Sequence, residues 1–330
     1  MSDARMQTAG VVNEGPDWGL AARAIRSLGV RVSALVCLSV GGPAIAASFV
    51  DDAARPFKLD RAAQRVITLA PNLTELVFAV GGGSALVGTV TLSTFPDEAK
   101  AVPRVGDYQR FDIERILLLK PDLVLAWYHG NPGRELAQLE AAGLPLYYLE
   151  PRRLEDVPRA LERVGELLGR VDQGRARAVA LRGEIAELSR AHQGVDPVSV
   201  FYQVWSNPLM TLSGQHIVSD VIALCGGRNA FADLAPLVPQ LSTESVVAAN
   251  PQVMLSARED PDSGPGLKRG TNGAVFAAWL RYPSLEAVRR NWLYTLPGDL
   301  IARQGPRIVE GARGVCAALD QVRAERRTRP

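Results

Sequence analysis

A single long helix constrains this chain more than any other stretch. Residues 172–192 place Gly174, Ala178, Leu181, Ile185 and Leu188 at steps of four and three, one apolar stripe at helical period. Arg175, Arg177, Arg182, Glu184, Glu187 and Arg190 occupy the remaining surface. Asp172 is the expected N-cap, and Gly194 with Pro197 marks the stop. About twenty residues at roughly 1.5 Å each reach about 30 Å, the width of a small domain. Alone, such a helix reads as ordinary packing within one large domain. Similar patterns on both of its sides favour a link between two lobes.

Before it, RVITL (Arg65 to Leu69) reads as a buried strand and Leu73 to Val80 as a helix ended by Gly81, Gly82 and Gly83. Leu86 to Val90, Leu123 to Trp127 and Leu146 to Leu149 read as strands, with helices at Ile113 to Leu119 and Glu135 to Ala142. A helical stretch from Leu154 to Leu168 leads into the long helix. After it, Val198 to Val204, Val253 to Ser256 and Leu293 to Leu296 read as strands. Ile217 to Cys225 and Ser245 to Ala249 read as helices, and a final helix runs from Pro306 to about Arg323. Asp260 to Gly273, rich in Gly, Pro and Asp, reads as a loop. Alternating strands and helices give an α/β chain with mainly parallel sheets flanked by helices.

The halves echo one another. ERILLLKPDLVLA from Glu114 aligns without gaps on ESVVAANPQVMLS from Glu244. Thr68-Leu69 followed by Phe78-Ala79-Val80-Gly81-Gly82 likewise matches Thr211-Leu212 followed by Ile222-Ala223-Leu224-Cys225-Gly226-Gly227. Two similar lobes joined by one helix leave a cleft, a natural ligand site.

The length, 330 residues, suits two modest domains, and a formal charge of +2 offers no basic field for nucleic acid. His129, His192 and His216 are never closely spaced, so no metal cluster is visible. Residues 1–46 have the order of a secretory signal. Arg23, Arg26 and Arg31 precede an apolar run from Val32 to Val40, and Ala44-Ile45-Ala46 follows. Cleavage after Ala46 removes Cys37 and leaves Cys225 and Cys316, either one disulfide in an exported chain or two buried thiols. The expected divisions are a signal at 1–46, an extension at 47–64, a lobe at 65–153, a helical connection at 154–194 and a second lobe at 195–330.

Catalytic signatures are missing. The glycines at 81–83 and Gly88 follow a helix and precede a strand, the reverse of a dinucleotide loop. Neither a phosphate-binding P-loop nor a nucleophile elbow is seen. Aromatic residues at strand exits are more informative: Tyr108 in a loop after Val105-Gly106-Asp107, Trp127 and Tyr128 where a strand ends, and Trp205 just past another. Open α/β sheets place ligands at such exits, although each aromatic taken singly is more often packing.

With these residues in view, the chain resembles the periplasmic substrate-binding proteins whose two α/β lobes are joined by a rigid helix and which serve ABC importers of cobalamin, haem and ferric siderophores. The resemblance rests on RVITLAPNLTELV (65–77), DIERILLLKPDLVLAWY (112–128) with Gly130-Asn131, LCGGRN (224–229), PQLSTESVV (239–247) and GPRIV (305–309). It implies a non-enzymatic, monomeric carrier with no resident cofactor and cobalamin as transported ligand. Tyr108, Trp127, Tyr128 and Trp205 then offer apolar surface to the corrin, and Asp299 and Arg303 its polar contacts, unless those two simply pair with each other. The disulfide falls on Cys225 and Cys316, and Glu114 and Glu244 meet the two permease subunits of the importer. Leu92, Val238, Leu300 and Ile301 stand where the cobalamin carriers have aromatic residues. The competing expectations are a haem or siderophore carrier, with Tyr108 or His129 available as a haem ligand, and an exported α/β enzyme.

Overall fold

Apolar runs at strand period, each followed by a helix with one buried face, fold here into two parallel sheets. The computed structural model describes residues 47–107, 109–258, 266–270 and 274–328. The expected signal at 1–46 and Tyr108 lie outside the described residues. The first lobe comprises β1 (Ala47–Val50), β2 (Pro56–Leu59), β3 (Val66–Thr68), α1 (Pro71–Ala79), β4 (Leu86–Thr89), α2 (Ile113–Leu118), β5 (Leu123–Trp127), α3 (Gly133–Ala141) and β6 (Leu146–Leu149). Helices α4 (Asp156–Leu167) and α5 (Val171–Ala191) follow. The second lobe comprises β7 (Val198–Gln203), β8 (Trp205–Ser206), β9 (Leu209–Met210), α6 (Ile217–Leu224), β10 (Gly227–Asn229), α7 (Thr243–Ala249), β11 (Val253–Arg258), β12 (Lys268–Arg269), α8 (Glu286–Arg289), β13 (Leu293–Pro297), α9 (Gly298–Ile301) and α10 (Ile308–Thr328).

The two sheets share one topology. The first runs β4-β3-β5-β6 and the second β10-β7-β11-β13, all parallel, with β12 added antiparallel at the second sheet's edge. The sequence echo is reproduced in atomic detail. Val66 pairs with Leu123 in one lobe and Val200 with Val253 in the other. Asp112 and Ser242 cap α2 and α7 by accepting from the backbone N–H three residues on, at Arg115 and Ser245. Lys120 (φ 45°) and Asn250 (φ 40°) turn left-handed just before Pro121 and Pro251. Asp122 then accepts from Arg65 N at 2.8 Å, and Gln252 accepts from Ser199 N at 3.1 Å. Gly81 (φ 74°) and Gly226 (φ 68°) end α1 and α6 alike. The Thr211-Leu212 half of the echo does not hold as a strand, because the β8-β9 hairpin is inserted after β7 and moves those residues to the approach of α6.

The long helix starts one residue early. Arg170 occupies the N-cap position, and Asp172 instead lies in the first turn, where its charge complements the exposed N–H groups. Its first part packs on α4, with Gly165 and Gly174 so close that an added Cβ on Gly165 would lie 3.0 Å from the Gly174 Cα. Its later part reaches α10, where Arg313 bonds Glu184 at 3.2 Å and His192 Nε2 meets Asp320 at 3.2 Å. Ala178 and Leu181 of α5 belong to a single apolar cluster that also takes in Leu73, Leu125 and Leu161 on one side and Val200, Val218 and Leu319 on the other. The linker is thus welded to both lobes by continuous burial.

Other boundaries differ from expectation. The stretch 47–64 is not a bare extension: β1 and β2 pair antiparallel, and Phe49 and Phe57 pack edge-on to Tyr147. Asp51 closes their turn by accepting from Ala53 N and Arg55 N. Within the expected loop at 260–273, Lys268 and Arg269 pair with Thr295 and Tyr294. The final helix begins at Ile308 rather than Pro306 and continues to Thr328, its added turn built from good helix formers. Cys225, at the end of α6, is bonded to Cys316 of α10 and closes a separation of 91 residues. No helix of the described residues is long and apolar enough to cross a membrane.

Candidate ligand-binding cleft

Segments that follow β3, β4 and β6 in the first lobe meet the second lobe near α6 and beyond β13. Glu75, in α1 just beyond β3, is 3 % exposed. Its carboxylate accepts from Arg303 Nη1 at 3.1 Å, Arg307 Nε at 3.0 Å and Arg307 Nη2 at 2.8 Å. Arg303 Nη2 also donates to Leu92 O at 3.0 Å, and Arg307 Nη1 donates to Asp299 Oδ2 at 3.0 Å. Burial disfavours the charged form of Arg307, but the hydrogen bonds and charge of Glu75 and Asp299 outweigh it and hold the guanidinium above its ordinary value. Two arginines face two carboxylates, so the junction is neutral and cross-linked. On the α4 side, Leu154 N donates to Asp220 Oδ2 at 3.0 Å and Arg153 Nη1 to Gly214 O at 2.9 Å.

The first-lobe wall rests on a buried cluster of hydroxyls. The hydroxyls of Thr74 and Thr89 lie 2.7 Å apart, each is within 2.7–3.1 Å of those of Thr68 and Ser93, and together they tie β3, α1, β4 and the loop after it. That loop then presents Leu92 and Phe95, 59 % and 44 % exposed. Leu92 takes a left-handed backbone (φ 66°), which costs a branched residue of order 1 kcal/mol and is sustained by the grip of Arg303 on its carbonyl. The Arg307 guanidinium lies 4.0 Å from the centre of the Phe95 ring.

Trp127 ends β5 half-buried, packed against the core, its ring seated on Gly130, where a Cβ would come within 1.9 Å of it. Asn131 holds the turn by accepting from Trp127 N at 2.8 Å and donating to Leu69 O at 2.9 Å. Tyr128 is exposed beside the rings of His129 and Tyr148. Trp205 stands on the β8-β9 hairpin at the exit of β7, 55 % exposed, with Nε1 donating to Asn207 O at 2.8 Å.

The structure sorts the residues picked out from sequence. Asp299 and Arg303 do not pair with each other: Arg303 bonds Glu75 and the Leu92 carbonyl, and Asp299 bonds Arg307. Ile301 is fully buried and Val238 packs on the core, whereas Leu92 is open. His129 Nδ1 is engaged by Glu150 and by Arg152. Glu114 and Glu244 are exposed in the first turns of α2 and α7, one on each lobe. Glu75, Arg307 and Phe95 escaped the sequence reading. Phe95 alone carried a local signal, as an aromatic past the exit of β4. Among the described residues no group of three His, Cys, Asp or Glu side chains is placed to hold a metal.

Exposed Leu92 and Phe95 thus flank a neutralised polar junction, an arrangement suited to a large, partly apolar molecule. Comparison with known proteins agrees. Residues 66–300 match the family model described as periplasmic binding protein. The vitamin B12-binding protein of Vibrio parahaemolyticus is 34% identical over 263 residues, 80% of this chain and 92% of that protein. The crystal structure of the periplasmic vitamin B12 binding protein BtuF of Vibrio cholerae superposes with a TM-score of 0.68 at 34% identity, covering 79% of this chain and 98% of that one. The periplasmic heme-binding protein RhuT from Roseiflexus sp. RS-1, in apo form, also gives a TM-score of 0.68, at 26% identity over 79% of this chain and 100% of that one.

Proposed function

The chain belongs to the periplasmic binding protein family, and from that premise we propose that it captures cobalamin, a corrinoid, between its lobes and delivers it to the permease dimer of an ABC importer. Members of this family are binding proteins, not enzymes, and work in the periplasm. The observation that carries the ligand assignment is the 34% identity to a vitamin B12-binding protein across both lobes. The geometry supports it. Leu92, Phe95 and Tyr128 from the first lobe and Trp205 from the second supply apolar surface; Tyr108, outside the described residues, is assigned to the ligand by the family resemblance alone. Trp127 backs that wall. Asp299, its side chain 43% exposed, is the polar group left to meet corrin amides. Arg303 is engaged in joining the lobes and orients Leu92.

In this reading residues 65–153, with the 47–64 hairpin packed on them, and 195–330 are the lobes, 154–194 connect them, and residues 1–46 are a signal removed near Ala46. The protein acts as a monomer. Glu114 and Glu244 dock on the two permease subunits, one carboxylate per lobe against a two-fold partner. A haem carrier of the same fold is less well supported, because the heme-binding relative is 26% identical where the vitamin B12-binding protein is 34% identical. The visible spectrum of protein recovered from its native periplasm tests the assignment. A corrin band is expected, and a haem Soret band would transfer the assignment to haem.

A further inference from the structure

A cavity of about 440 Å³ lies at the carboxyl end of β4, walled by Thr91, Arg104, Asp107, Arg110, Phe111 and Asp112. Thr91 directly precedes Leu92, whose carbonyl Arg303 of the second lobe holds, so the cavity lies beside the lobe junction. Arg104 is fixed in place by neutral acceptors. Its Nη1 donates to Ala99 O at 3.1 Å and Val102 O at 3.2 Å, and its Nη2 donates to Ser93 O at 2.9 Å. Among the described residues no carboxylate pairs with Arg104, and its Nε makes no hydrogen bond. Burial lowers its pKa, as expected for a cation lacking a counter-charge. Arg110 is exposed and likewise forms no ion pair among the described residues.

Each of the two exposed carboxylates in the wall has one oxygen committed to backbone. Asp107 Oδ1 accepts from Gln109 N and Arg110 N, each at 2.7 Å, and Asp112 Oδ1 accepts from Arg115 N at 3.0 Å. Arg104, held by its Nη donors with Nε unused, and Arg110 line the same cavity and bring two cations without ion-pair partners to it, the charged N–H donors that suit an oxyanion. A complete corrinoid carries one fixed anion, the phosphodiester of its nucleotide loop, on an otherwise amide-rimmed disc.

We propose that Arg104 and Arg110 form an oxyanion subsite at the cleft rim that takes the phosphodiester of a complete corrinoid. This inference rests on the corrinoid reading above. It makes the carrier selective for corrinoids that keep the nucleotide loop.

The test is calorimetric titration with cyanocobalamin and with dicyanocobinamide, which lacks the loop and its phosphate. The wild type should bind cyanocobalamin more tightly. Arg110→Gln should weaken cyanocobalamin by about tenfold, the scale of a lost charged hydrogen bond, and leave cobinamide binding unchanged. Arg104→Gln should do the same. If it also disturbs the loop it supports, seen as a fall in melting temperature, Arg110→Gln alone decides. Equal effects on both ligands, no effect on either, or equal wild-type affinity for the two would overturn the subsite and leave the carrier standing. Failure of the wild type to bind either corrinoid would instead overturn the ligand reading.

Discussion

Glu75 and Arg307 are 232 residues apart, yet Glu75 Oε1 and Oε2 accept from Arg307 Nη2 and Nε at 2.8 and 3.0 Å, a two-point contact that joins α1 of one lobe to the approach of α10 in the other. The Glu75 side chain is 2% and the Arg307 side chain 11% exposed, so breaking the pair leaves charge stranded out of water. Glu75→Gln keeps the shape and removes the charge. We expect it to destabilise the protein by about 3 kcal/mol, at the low end for breaking a buried pair. Thermal unfolding against wild type measures this, and an unchanged midpoint would mean the lobes are not held through this contact.

Sequence was informative wherever structure is local. The two helix-strand repeats were visible because a capping residue, a left-handed turn and a proline recur at the same spacing in ERILLLKP and ESVVAANP. The long helix was visible because its burial has a single period. Contacts between lobes left no local trace: nothing near Glu75 announces Arg303 and Arg307, and Arg303 looked available for ligand. Strands too short to show a period were missed too. Gly227–Asn229 begins on a glycine that reads as a helix stop, and Trp205–Ser206 with Leu209–Met210 has two residues per strand. Trp127 and Trp205 do stand at strand exits, but burial separates them, Trp127 partly into the core and Trp205 into the open.

That separation has a consequence for mutants. Trp205→Ala removes an exposed ring and should leave the melting temperature within about 1 °C, since surface changes stay within roughly 0.5 kcal/mol. It should weaken cobalamin binding several-fold. Trp127→Ala opens a gap over Gly130 and should cost about 2 kcal/mol, below the range for a fully buried tryptophan. Thermal melts and titrations of both variants check this. A normal melt for Trp127→Ala would make it a ligand contact only, and unchanged affinity for Trp205→Ala would remove the hairpin from the cleft wall.

The Cys225–Cys316 bridge closes a separation of 91 residues, which on the chain-entropy model contributes about 2–5 kcal/mol. Protein taken from the periplasm should start near Ala47 and gain about 2 Da on reduction, one hydrogen per thiol. Two free thiols in that material would contradict oxidation of the pair in its own compartment.

Glu114 and Glu244 occupy equivalent first-turn positions, and neither forms an ion pair among the described residues. Glu114→Ala combined with Glu244→Ala should leave ligand affinity and melting unchanged while reducing cobalamin uptake by cells carrying the cognate importer. Normal uptake by the double variant would remove both residues from docking.

The central claim is tested most directly by titrating the purified wild-type protein with cyanocobalamin and, separately, with haemin in a calorimeter. The account predicts saturable one-to-one binding of cyanocobalamin, at least about tenfold tighter than haemin, a gap of about 1.4 kcal/mol. Binding of haemin with no heat from cyanocobalamin would contradict it.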